Sequence, residues 1–123
     1  MADFENIAKQ FTEYYYNTFD QDRNGLRTLY RPESMLTFES SPLLGDKSIT
    51  EKLVSLPFTK VKHQVSTLDA QPAANNGIVI LVTGQLLVDE EERPMNYTQL
   101  FQLCPDGSGG YFVQNDIFKL IYG

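Results

Sequence analysis

Apolar residues recur every three or four positions at the start of the chain: Phe4, Ile7, Ala8, Phe11, Tyr15 and Phe19. That spacing draws one stripe along a helix and predicts a long first helix beginning near Asp3, a residue suited to the N-cap. Leu26, Leu29 and Tyr30 predict the inner face of a second helix that starts around Asp20 and stops before Pro32, with Gly25 weakening it. Residues 34–39 read as a short strand, followed by turns near Ser41-Pro42 and Gly45-Asp46. A third, short helix is expected from about Lys47 to Ser55, burying Ile49, Leu53 and Val54.

After Leu56-Pro57 the period changes to two. Val61, His63, Val65 and Thr67 fall on one face of a strand, with Lys60, Lys62, Gln64 and Ser66 on the other. Residues 78–88 are almost continuously apolar, which predicts a strand covered on both faces. Asn75-Asn76-Gly77 is a turn signal between those strands. Gly84, inside the apolar run, suits a bulge or bend. Residues 95–104 and 111–122 predict two further strands around the loop from Pro105 to Gly110. Three helices followed by a mostly antiparallel sheet make an α+β domain spanning residues 1–123. The second face of residues 78–88 has no helix left to cover it, so a second copy packing sheet against sheet is expected.

With 123 residues, 41% of them hydrophobic, the chain can bury a core and is too apolar for disorder. Ten basic against sixteen acidic residues give a net charge of -6. Such a surface repels nucleic acid and anionic membrane, and a basic protein complements it; the same charge also serves solubility alone. Cys104 is the single cysteine, which excludes an internal disulfide or a cysteine-rich zinc site, and its strand-like surroundings suggest a buried structural thiol. The start Met1-Ala2-Asp3-Phe4-Glu5 lacks the pattern of a signal peptide, and no apolar run reaches the roughly 18 residues of a membrane span. An intracellular, soluble protein is expected.

No phosphate-cradling glycine loop, metalloprotease helix motif or Cys/His cluster is present, so neither metal nor cofactor is expected. His63 reads either as a general base lining a cavity or as a core or interface residue bonded to a carboxylate or backbone carbonyl. Asp116 reads either as a buried catalytic carboxylate with a raised pKa or as a strand-end or interface carboxylate making hydrogen bonds. Asp89-Glu90-Glu91-Glu92 is the sharpest electrostatic feature, and by itself it is a solvated hairpin tip.

The segment Leu53 to Pro72, LVSLPFTKVKHQVSTLDAQP, stands in register with three other motifs. These are Tyr14-Tyr15-Tyr16, Leu36-Thr37-Phe38-Glu39 and Asn115-Asp116-Ile117-Phe118. Together they resemble the nuclear transport factor 2 family of fungi, almost end to end. The resemblance implies a cone, in which a curved sheet wraps over the long N-terminal helix beside two shorter ones. It also implies a homodimer with Ile117 at its interface. The implied role is a non-enzymatic carrier of the GDP form of the small GTPase Ran, present in cytoplasm, nucleus and nuclear pores. Ran would insert a phenylalanine into a mouth lined by Phe38, Leu56, Phe58, Val61 and Phe118, where many relatives have Trp in place of Phe38. Glu39 would pair with an arginine of Ran, and Asp89 and Glu91 with a lysine. This chain carries one extra residue before Met95, so Glu92 could replace Glu91. Phe4 would help hold Phe-x-Phe-Gly repeats of nucleoporins in a groove between subunits, as against merely anchoring a helix end. The same cone also hosts isomerases and dehydratases, and for that alternative the nominated residues are Tyr14, Tyr15, His63 and Asp116. A third reading is a dimerisation module in messenger RNA export.

Overall fold

The computed structural model describes residues 3–57, 60–89 and 93–121. Helix α1 (Phe4–Gln21) buries Ala8, Thr12, Tyr15, Tyr16 and Phe19, the expected stripe with Thr12 added. Asp3 precedes it without a side-chain cap; its carboxylate accepts from the Asn6 amide at 3.3 Å instead. The chain leaves α1 at Asp22, whose side chain accepts the Asn24 N–H at 3.2 Å and starts a 3-10 turn, Arg23–Leu29. The expected second helix is therefore shorter and tighter than an α-helix. Leu26 is its buried residue, while Tyr30 belongs to the next strand.

Strand β1 (Tyr30–Phe38) begins before Pro32 rather than after it. Its pairing breaks between Tyr30 and Met35, where proline's missing N–H costs the ladder nothing. Ser34 bridges the break, accepting from Arg31 N–H at 2.8 Å and donating to the Val113 carbonyl at 2.5 Å. Glu39 and Ser40 then turn the chain with φ of 49° and 73°. Ser41-Pro42, expected as a turn, instead open strand β2 (Ser41–Leu44), which pairs antiparallel with β1 at the sheet edge, where a proline is tolerated.

Helix α2 (Asp46–Val54) buries Ile49, Thr50 and Leu53. Val54, expected inside, is 42% exposed, because the helical phase that buries Leu53 turns its neighbour outward. Strands β3 (Val61–Ala73), β4 (Gly77–Val88), β5 (Met95–Pro105) and β6 (Tyr111–Ile121) complete a sheet in the order β2-β1-β6-β5-β4-β3. Only the β1–β6 pair is parallel among them. The hairpin between β3 and β4 turns through Asn75 and Asn76, at φ of 58° and 62°, as their residue types suggest.

The bulge anticipated at Gly84 lies across from it, between Val65 and Thr67 of β3. Gly84 is what lets the bulged strand approach: a Cβ there would stand 2.3 Å from the Gln64 carbonyl oxygen and 3.0 Å from the Tyr97 hydroxyl. Gly84→Ala should therefore cost about 1–3 kcal/mol as an overpacking change, visible as a lower midpoint in urea. An unchanged midpoint would mean the bulge is free to relax.

α1 lies over the inner face of the curved sheet, and the core between them holds Ile78, Ile80, Val82, Leu86, Tyr97, Phe101, Leu103 and Val113. The expectation that β4 is covered on both faces fails within one chain, since Leu81 on the outer face is 46% exposed. Cys104 is half-buried on β5 rather than buried, and desolvation raises its thiol pKa. No helix among the described residues is long and apolar enough to cross a membrane.

Candidate functional site

One end of the cone brings together the last residue of β1, the turn after it, and the adjoining stretch of β6. Phe38 lies flat on Phe118, with ring centroids 4.9 Å apart and planes 6° apart, and Phe118 stacks in turn on Tyr97 at 5.5 Å. Parallel pairing of Phe38 with Phe118 across β1 and β6 sets these two rings side by side. Behind them is a cavity of about 10 Å³ lined by Tyr15, Phe19, Leu36, Leu53, His63, Leu86 and Gln99 as well as both phenylalanines. That is the room of about one water molecule. Val61 is buried at the start of β3, and Leu56 packs half-buried against the core.

Two acids stand near this mouth, each fixed by backbone. Glu39 accepts the Leu120 N–H through Oε1, and its own N–H donates to the Phe118 carbonyl at 3.1 Å. Asp89, at φ of 49°, accepts the Lys60 N–H at 2.9 Å through Oδ1 while its N–H returns to the Lys60 carbonyl at 2.7 Å. Both carboxylates are thus held at defined positions rather than swinging freely. Phe58 and Glu91, with Glu90 and Glu92, lie outside the described residues. Lys52 on α2, which the sequence did not single out, places its ammonium over the Phe38 ring at 5.8 Å.

Below the cavity sits a polar network. Asp116 is fully buried on β6 and accepts from the Tyr30 hydroxyl at 2.7 Å and from Gln99 Nε2 at 2.8 Å. The Tyr15 hydroxyl is 2.5 Å from that of Tyr30 and 3.4 Å from Asp116, and Tyr16 donates to Gln99 Oε1 at 2.8 Å. Burial pushes the Asp116 carboxyl up to about 6, against the hydrogen bonds from Gln99, Tyr30 and Tyr15 that hold it down. Burial, then the Asp116 charge, raises the Tyr15 and Tyr30 hydroxyls well above their ordinary range. Asp116 is thus a hydrogen-bonded carboxylate with a raised pKa, in the middle of β6 and inside the core rather than at a strand end or interface. His63 takes the bonded role: Nδ1 meets Asp20 Oδ1 at 2.7 Å, the ring stacks on Tyr16 at 4.2 Å, and its side chain is almost wholly buried. Tyr14, nominated with these for catalysis, is 55% exposed on α1 and does not line the cavity. Asp116, its phenols and Gln99 are tied to one another, and the cavity beside them holds about 10 Å³, while Tyr16 and His63 also line an open groove of about 550 Å³ with Lys9, Thr12, Glu13 and Leu68.

Two other surfaces matter. Phe4 is half-buried beside a groove of about 300 Å³ whose walls include Ile7, Pro72, Asn76, Ile78 and Tyr111. On the outer face of the sheet, Leu81 pairs with Leu100 and Leu100 with Ile117, an apolar row across three strands. Ile117 is 47% exposed in it. Among the described residues, no cluster of His, Cys, Asp or Glu is arranged to hold a metal.

Comparison with known proteins gives one consistent answer. Residues 7–120 match the family model of the Nuclear transport factor 2 domain. The chain is 66% identical to Nuclear transport factor 2 of Emericella nidulans over 123 residues, covering 99% of this chain and 98% of that one. It is 58% identical to Nuclear transport factor 2 of Saccharomyces cerevisiae over 121 residues, covering 98% and 96%. The solved structure of nuclear transport factor 2 from Cryptosporidium parvum superposes with a TM-score of 0.93 at 40% identity, covering 97% of this chain and 95% of that one.

Proposed function

The chain belongs to the nuclear transport factor 2 family, and from that premise we propose that it is a homodimeric carrier of the GDP form of Ran through nuclear pores. The transport role follows from relatives named for it at 54–66% identity over nearly the whole chain. The observation that carries the finer reading is the mouth itself: an aromatic tier, Phe38 on Phe118, with two backbone-fixed carboxylates, Glu39 and Asp89, close by. An apolar side chain flanked by basic ones is the complement of that surface. Phe38, Leu56, Val61 and Phe118 line or support it, and Phe58 and Glu91 are assigned to it from the family resemblance alone.

Energies fit a reversible complex. Burying one phenylalanine is worth roughly 1.5–3 kcal/mol before the costs of association. A rim ion pair adds a Coulomb attraction that desolvation partly offsets. Their sum falls short of tight binding, as a carrier that releases its cargo requires. Discrimination between GDP and GTP forms belongs to Ran, whose nucleotide-dependent segments rearrange. The reading is tested by calorimetric titration with both forms: micromolar binding to Ran-GDP alone supports it, and no binding to either by a folded dimer overturns it.

Two further surfaces take the remaining roles. The apolar row at Ile117 serves the dimer, covering the outer face that one chain leaves open. Ile117→Arg should shift sedimentation from dimer to monomer at micromolar concentration; an unchanged dimer would place the interface elsewhere. The groove at Phe4 holds Phe-x-Phe-Gly nucleoporin repeats. Phe4→Ala should weaken nucleoporin binding about tenfold or more, measured by pull-down and surface plasmon resonance, and leave Ran binding as it was. Equal loss of both would show that Phe4 supports the fold instead.

The enzymatic alternative draws support from one observation, the raised pKa of a carboxyl surrounded by phenols. Against it, the cavity that Tyr15 and His63 line holds about 10 Å³, and the open groove of about 550 Å³ on which His63 also borders is not lined by Asp116, Tyr14 or Tyr15.

A further inference from the structure

The mouth has no room for the side chain it is proposed to receive. Its cavity measures about 10 Å³, whereas an apolar cavity that takes up benzene is on the order of 150 Å³. Part of the lining must move, and burial identifies which part. Tyr15, Leu36, Leu53 and Phe118 are each 5% exposed or less. Phe38 is the half-buried ring, the last residue of β1, followed directly by the positive-φ pair Glu39 and Ser40. It packs flat on Phe118 and carries the Lys52 ammonium 5.8 Å from its centroid.

We infer that Phe38 plugs the docking mouth of the free protein, and that Lys52 is a specificity-determining residue that makes the plug exchangeable for another aromatic ring. Swinging Phe38 out breaks the contact between the ammonium and a ring face. An aromatic newcomer in the vacated slot restores that contact, and an aliphatic newcomer does not. Lys52 therefore penalises aliphatic occupants while leaving aromatic ones unpenalised. This gives the mouth a preference that apolar burial alone, which is non-directional, does not supply. The inference takes its meaning from the docking role proposed above, but its test needs no partner.

The test uses two neutral probes of similar size, benzyl alcohol and cyclohexylmethanol, titrated into the folded protein. Binding is followed by methyl NMR shifts of Leu36, Leu53 and Leu86. In the wild type the aromatic probe should bind more tightly. Lys52→Ala should strengthen cyclohexylmethanol binding about two- to fivefold, the size of an exposed cation–ring contact, and leave benzyl alcohol unchanged. Phe38→Ala, which removes the plug, should tighten both probes about tenfold or more. An unchanged ratio of affinities in Lys52→Ala overturns the role of Lys52, and a Phe38→Ala protein that binds neither probe more tightly overturns the plug. Lys52 lies at the surface of α2, so its variant tests the inference even if Phe38→Ala folds poorly. Failure of the wild type to bind Ran-GDP would count against the docking role and leave these outcomes standing.

Discussion

Unfolding free energy should fall by up to about 3 kcal/mol between pH 4 and pH 7 through one group, Asp116. Its carboxyl sits near 6 in the folded chain against 3.8 for an unburied aspartate. A gap of that size corresponds to about 3 kcal/mol when each unit is worth about 1.4. The folded state holds the proton more tightly than the unfolded one. The stabilisation is therefore complete below pH 3.8 and is lost as pH rises through about 6. Carboxylates such as Asp106, held below the usual range by backbone N–H groups of Ser108 and Gly110, give the opposite slope. The informative quantity is thus the difference between wild type and Asp116→Asn across urea titrations at several pH values.

The amide keeps the shape, and the network can reverse to suit it: Gln99 flips, and the Tyr16 hydroxyl accepts instead of donating. The difference curve should slope only between pH 4 and pH 7, and parallel curves would show that Asp116 does not titrate there. Asp116→Ala is harsher. It strips the acceptor from Tyr30 and Gln99, and at pH 4 it should cost about 3–5 kcal/mol.

Glu39→Lys should weaken binding of Ran-GDP at least a hundredfold, about 3 kcal/mol, with fold and dimer retained. The Coulomb term for a pair at about 4 Å and an effective dielectric near 20 is about 4 kcal/mol, and reversal turns attraction into repulsion. Desolvation reduces both, and truncating one partner of a close interfacial pair commonly costs 2–5 kcal/mol. The structure adds a local consequence. Glu39 also accepts the Leu120 N–H, so lysine forfeits that bond and lowers stability by about 1 kcal/mol, whatever happens at the interface. Glu39→Gln separates the two effects. It keeps an acceptor for Leu120 while removing the charge, and its affinity should fall between the others. Wild-type affinity in Glu39→Gln would mean that no charge pair forms.

Periodicity made α1, α2 and the long strands legible, and Asn75-Asn76-Gly77 announced its turn. Strand β2 was hidden because its turn uses Glu39 and Ser40, residues without the usual preference for positive φ. Tyr30 and Pro32 misled for a related reason. Proline signals the end of a helix, yet here it occupies a gap in strand pairing that only the β6 partner defines. The partners of His63 and Asp116 were illegible in a stronger sense. Asp20 lies 43 residues from His63, and Gln99, Tyr30 and Tyr15 lie 17, 86 and 101 residues from Asp116. Individual residues hinted at polarity in the core, but only the folded sheet could say what satisfied it. Lys52 left no signal at all, since a helix-surface lysine needs no explanation until a ring is found beneath it.

The parallel pairing of β1 with β6 has a kinetic side. β6 inserts between β1 and β5, so the sheet has a slot in its middle until residues 111–121 arrive. Before that, β1 with β2 and the block β3–β4–β5 face each other with unpaired inner edges, a hazard for association between nascent chains. Asp116 travels on the strand that fills the slot, and the hydroxyls of Tyr15 and Tyr30 wait for it. Closure therefore joins hydrogen-bonding partners as far as 101 residues apart in the sequence. The protein should fold slowly for its size, and its commitment to the native state should come only after synthesis has passed the last strand.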